Sequence, residues 1–187
     1  MSVLSDERRR EADELMARYP SPRSALLPLL YLVQSEEGLV TREGMREVAE
    51  ILGLTTAEVG AVASFYTMFR QQPTGRWLVS VCTNVSCAVR GAREVHARAR
   101  EALGVEAGEV TDDGMFTLEE VECLGACDAA PVVQVNYANY DRVSEEGIVR
   151  LIESLRAGDV PEPSRGPKPV DHKETSRVLS GVRKQHA

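Results

Sequence analysis

The chain has 187 residues, 43% of them hydrophobic and 27% charged, and a formal net charge of −7. That length can bury a real hydrophobic core and suits one or two domains, while the negative balance argues against nucleic acid as the main partner, because phosphate binding needs a basic face. No apolar run approaches the ~20 residues of a membrane span, and the opening MSVLSDERRREADEL is charged from Asp6, unlike a secretory or transit leader, so a cytoplasmic location is expected.

Residues 1–74 read as a helical bundle. Asp6–Tyr19 carries Ala12, Leu15, Met16 and Tyr19 at i, i+3, i+4 and i+7, one apolar stripe. Ser24 is the expected cap of a second helix, ALLPLLYLVQSEE, with Pro28 in its first turn and Gly38 as its stop. Thr41 opens a third, in which Met45, Val48, Ala49 and Leu52 face one way before Gly53. Thr55 or Thr56 opens a fourth, AEVGAVASFYTMF, ending before QQPTG.

The pattern changes at Gly75. Arg76–Cys82 is a β-branched and aromatic run, Ala88–Leu103 is helical, and Phe116–Glu122 alternates as a strand does. Val132–Val135 and Asn139–Val143 are further short strands, and a helix runs from Ser144 or Glu145 to Arg156. The order β-α-β-β-α over 75–157 predicts a layered α/β domain, so the fold class is α followed by α/β. Residues 158–187 are proline-rich and polar and read as an irregular tail. The middle segment is the acidic one; the tail alone is slightly basic.

All four cysteines lie in two seven-residue segments, VCTNVSC and VECLGAC, as Cys82, Cys87, Cys123 and Cys127. Each pair sits at the end of a predicted strand. If those strands are neighbours, both loops emerge at one sheet edge and four sulfurs converge. Three chemistries compete for such a set. Structural zinc takes four tetrahedral thiolates with gaps of two to four residues inside each pair. A thiol–disulfide enzyme more often shows C-x-x-C at a helix start, which is absent. A 2Fe–2S cluster spreads four thiolates over two irons, and wider gaps such as C-x₄-C are natural to it. Gly125 lets the second loop take a positive φ and bring an N–H toward sulfur.

VECLGACDAAPVVQVN, with the upstream C-x₄-C and the helical stretches YPSPRSALLPLLYLVQSEEGLVT, AEILGL and ASFYTMF, resembles the small 2Fe–2S subunit of complex I, the NADH:quinone oxidoreductase of bacteria and mitochondria. That family is shared with diaphorase subunits of NAD-linked hydrogenases and formate dehydrogenases, and the likeness covers about residues 10–157. It implies a helical N-terminal bundle followed by a thioredoxin-like 2Fe–2S ferredoxin domain, with Cys82, Cys87, Cys123 and Cys127 as the cluster ligands. It implies electron exchange with FMN in a partner flavoprotein that also binds NADH, and a peripheral place at the inner face of the bacterial membrane. No catalytic residue is expected in the chain itself, which has no nucleotide-binding glycine loop.

Other residues have plainer readings. His96, on an arginine-rich helix, is a solvated or capping histidine, and His172 and His186 fall in the tail. Phe65, Tyr66, Met68 and Phe69 suit bundle core or a subunit contact. Glu119, Glu120 and Glu122 flank the cysteines, at least one of them in solvent, and Pro131 is a candidate for the cis proline of thioredoxin-like folds. The cations from Arg165 to Lys184 read as solvated or as a docking arm.

Overall fold

The computed structural model describes residues 2–182, and His186 and Lys184 of the tail lie outside them. The chain divides into two compact units. One runs to Pro73 and takes in a C-terminal helix that begins at His172; the other spans Thr74–Asp171.

The first unit is built on α1 (Asp6–Met16), α2 (Leu26–Glu37), α3 (Arg42–Leu52) and α4 (Thr56–Phe65). Local signals set most of their ends. Thr41 Oγ1 accepts from the Gly44 N–H, and Thr55 with Glu58 forms a reciprocal capping box worth about 1 kcal/mol. Ser24 caps nothing: it lies inside a 3₁₀ turn, Pro22–Ala25, and α2 starts without a side-chain cap. The first helix ends three residues early, at Met16, and the fourth stops at Phe65, where Tyr66 turns extended. Leu29, Leu30, Leu32, Val33, Val48 and Val59 fill the core. Of the aromatic stretch, Phe69 joins that core, whereas Phe65 is 77% exposed.

The tail is not irregular throughout. His172–Leu179 forms α8 and packs on α2. Its Ser176 accepts a hydrogen bond from the fully buried Gln34 at 3.0 Å, Lys173 donates to the Glu36 carbonyl at 2.7 Å, and Arg177 pairs with Glu7 and Glu11 at 2.8 and 2.5 Å. Gln34 is further satisfied by the Met68 carbonyl and the Arg70 N–H, so this buried amide is fully used.

Glu47 pins the N-terminal residues. Its carboxylate accepts from Val3 N (2.6 Å), Ser2 Oγ (2.9 Å), Leu4 N (3.3 Å) and Arg9 Nη2 (2.6 Å). Burial pushes its pKa up, but these donors and the Arg9 charge outweigh burial and hold it below the ordinary carboxylate value. A depressed folded-state pKa means stability that is present above the ordinary value and lost as pH falls through the folded one. Glu47→Gln should therefore lower Tm most at neutral pH, with the gap to wild type closing below pH ~4, where the carboxyl takes up its proton. Thermal melts across that range check it; a gap that stays constant would sink the idea.

The second unit is a four-stranded sheet in the order β2-β1-β3-β4, where β1 is Trp77–Cys82, β2 Phe116–Val121, β3 Val133–Val135 and β4 Ala138–Tyr140. β1 and β2 are parallel, in register from Trp77–Phe116 to Cys82–Val121, and the other pairings are antiparallel. Every residue of β1 is buried, as a central strand covered on both faces requires. The crossover from β1 to β2 is helical, as parallel strands demand, but it is two helices and not one. α5 (Val85–Val89) and α6 (Ala92–Leu103) are separated at Gly91, whose φ of 92° no helix interior tolerates. α6 packs on the sheet and on α7 (Glu145–Ala157), which Ser144 caps. Phe116, Val79, Leu118, Ile148, Ile152 and Leu155 form the core between them.

Candidate metal centre

The parallel pairing of β1 and β2 decides the site, because it delivers both cysteine segments to the same edge. Cys82 is the last residue of β1, and its N–H donates to the Val132 carbonyl at 3.1 Å. Cys87 lies within α5, not at the threshold of a longer helix, because the Gly91 break gives its segment a helix of its own. Cys123 follows β2, and Cys127 opens a 3₁₀ turn, Cys127–Ala129.

The four thiols are all free, and they divide by environment. Cys82 and Cys87 are buried among Ala92, Ala126, Ala130 and Val132, a small apolar shell separate from the main core. Burial, then a hydrogen bond with Cys82, pushes the Cys87 thiol up to about 11. Cys123 and Cys127 are exposed, with sulfurs 3.4 Å apart. Gly125, at φ 76°, directs its N–H to the Cys123 sulfur at 3.4 Å, and this contact first, then Cys127, holds the Cys123 thiol below its usual value. Cys127 moves the other way, pushed up first by its hydrogen bond with Cys123 and then by electrostatic repulsion from that sulfur. Cys127 also lies within electrostatic reach of Cys82 and Cys87 and within hydrogen-bonding reach of Ser86. The four predicted positions thus come together as two pairs. Among the described residues, no three His, Cys, Asp or Glu side chains form a group that could hold a single metal ion.

Side chains tie the two segments further. Ser80 donates to Glu119 at 3.0 Å, Thr83 to Glu120 at 2.8 Å and Asn84 to Glu122 at 2.6 Å. The acidic run therefore holds one cysteine segment against the other, with none of the three carboxylates left to solvent alone. Asn84 also accepts from the Val85 N–H at the start of α5, so one amide links the helix of Cys87 to the residue before Cys123. None of Ser80, Thr83, Asn84 and Ser86 was legible as a site residue, since each needs its partner strand to have meaning. The Ala130–Pro131 bond is cis. His96 sits half-buried on α6, and His172 is buried as the first residue of α8.

A βαβ frame with four free cysteines gathered at one end of its parallel strands defines an α/β domain with a thiol-rich edge. The comparisons with known proteins agree. The family model of thioredoxin-like [2Fe-2S] ferredoxins matches residues 12–156, and the chain belongs to that family. Its cofactor is one 2Fe–2S cluster, and the donor set fits: four thiols in two pairs, one dry and one facing water. A subunit of the NADH-quinone oxidoreductase of Mycobacterium tuberculosis is 50% identical over 172 residues, covering 92% of this chain and 68% of that one. A subunit of the NADH-quinone oxidoreductase of Thermus thermophilus is 42% identical over 156 residues, covering 82% and 86%. Among solved structures, an NAD+-reducing [NiFe]-hydrogenase superposes with a TM-score of 0.64 at 26% identity over 71% of this chain, which spans 22% of the hydrogenase chain.

Proposed function

We propose that this chain is the cluster-bearing electron-transfer subunit of an NADH:quinone oxidoreductase, with Cys82, Cys87, Cys123 and Cys127 as the ligands of its 2Fe–2S cluster. The observation that carries the reading is the delivery of two cysteine pairs to one edge by the parallel β1–β2 ladder. The relatives named above, matched over most of their length, support that choice of parent assembly. When bound, the cluster takes up and returns one electron at a time. The chain's own residues prepare for that charge change. The alanine and valine shell keeps water from Cys82 and Cys87, the Gly125 N–H offers a dipole to the Cys123 sulfur, and the exposed pair brings the site to the surface where a donor can approach.

The donor in this reading is FMN in a partner flavoprotein that binds NADH, so the chain has no catalytic residue and no nicotinamide site of its own. Among the described residues no helix is long and apolar enough to cross a membrane, and attachment at the inner membrane face would come through other peripheral-arm subunits. The likeness to the hydrogenase favours one second reading, the same role in the diaphorase part of an NAD-linked hydrogenase or formate dehydrogenase.

Anaerobic NADH added to the purified chain is expected to leave its EPR spectrum silent, and the reduced-cluster signal should appear once the partner flavoprotein is added. A chain that purifies colourless with one tightly bound zinc would overturn the assignment in favour of a structural staple. Which flavoprotein co-purifies, that of a quinone reductase or of a hydrogenase, distinguishes the two parent assemblies.

A further inference from the structure

The match to the family ends at residue 156, yet the chain continues as a strap that returns to the metal centre. The strap is anchored on β4 by its backbone. Asn139 and Arg165 exchange N–H···O bonds of 3.0 and 3.2 Å, the Ser164 N–H donates to the Asn139 carbonyl at 2.7 Å, and Ser164 Oγ accepts from the Asp141 N–H at 3.0 Å. Tyr140 and Asn136 hold it on either side, through the Pro161 and Val170 carbonyls at 2.8 and 2.7 Å.

With its backbone held, Arg165 forks its guanidinium between two carboxylates. Nε donates to Asp141 Oδ2 at 3.0 Å and Nη2 to Asp128 Oδ2 at 2.9 Å. Asp141 is largely buried and Asp128 is exposed, so the first contact anchors the side chain and the second reaches outward. Asp128 directly follows Cys127 in the 3₁₀ turn, whose other end is tied to the segment after β4 by the Arg142 N–H at the Ala129 carbonyl, 2.8 Å. Arg165 thus closes the open side of the turn that carries an exposed ligand. Arginine suits this, since its planar fork spans two carboxylates where a lysine would meet one.

We infer that Arg165 is a positioning residue for the cluster, holding the Cys127 turn through Asp128 and placing a positive charge beside that turn. The inference rests on the reading of Cys127 as a ligand.

The test uses the full chain loaded with its cluster, comparing wild type with Arg165→Gln, Asp128→Asn and the double variant. Each single variant should lose the cluster to a chelator about two- to fivefold faster, the scale of one partly exposed ion pair, and the double variant should be no faster than Arg165→Gln, which already removes the contact to Asp128. The reduction midpoint should fall in Arg165→Gln, which loses a positive charge, and rise in Asp128→Asn, which loses a negative one. A strap residue of merely structural value would lower Tm without moving the midpoints in opposite directions. Loss rates equal to wild type, or midpoints that move together, overturn the inference while the loaded wild type leaves the cluster reading intact. A wild-type chain that never shows the cluster signature overturns the ligand assignment itself, and the inference with it.

Discussion

Cys87→Ala is expected to purify as a folded chain without visible absorbance and without the EPR signal of a reduced cluster. Outer partners of a metal ligand are already worth about 10–100-fold in affinity, so the loss of a thiolate costs more than that. The position matters as well. Cys87 is 2% exposed within a shell of Ala92, Ala126, Ala130 and Val132, where no water or second side chain can take its place. The fold should survive, because alanine suits α5 and removes only a sulfur from a region apart from the main core. Cys123→Ser is the informative contrast. That sulfur faces solvent, and a serine oxygen there can still ligate, so an altered rather than an absent spectrum is expected. Iron and acid-labile sulfide, EPR and far-UV circular dichroism on both variants check the pair of expectations. Wild-type spectra from Cys87→Ala would show that the ligand assignment is wrong.

Phe116→Ala should destabilise the protein by about 3–5 kcal/mol, the usual range for emptying a fully buried phenylalanine site. The ring has no exposed surface; it packs in the sheet core, and the Arg156 guanidinium lies 5.6 Å from its centroid. Phe116 is also the first residue of β2, paired with Trp77 in the ladder that ends at Cys82 and Val121. Loosening the start of the ladder slackens the register that brings the cysteine segments together, so cluster loss on warming should begin at a lower temperature too. Denaturant titration of the second unit's transition measures the first effect, and a loss of less than about 1 kcal/mol at unchanged m would contradict it.

Much of the architecture was legible because its causes are local. Caps at Thr41, Thr55 and Ser144 and stops at Gly38 and Gly53 act within a few residues of themselves, and the apolar period of α3 names its own buried face. The cysteine segments were legible for the same reason, as strand ends followed by short loops. Local signals misled where a neighbour overruled them. Ala88–Leu103 has a continuous helical composition, yet the Gly91 break gives Cys87 its own short helix beside Cys82. The stretch from Ser24 lost its first turn to a 3₁₀ geometry set by Pro22.

The clearest division falls in the last thirty residues. Composition alone described a polar, proline-rich segment, solvated or a docking arm, and nothing in it named which residues of its own chain it would meet. Its place came from pairings across the chain: Ser176 with Gln34 inside the helical unit, Arg165 with Asp128 and Asp141 beside the Cys127 turn. Residue types and spacing were enough to mark four thiols in two segments as a candidate site, and to carry the family likeness that names the chain's cofactor. Which sulfurs are dry, which carboxylates knit the loops, and that an arginine near the end closes the turn became visible only in the folded chain. Hydrophobic period and capping act over one or two turns of chain, whereas burial and ion pairing depend on distances in space that the fold alone creates.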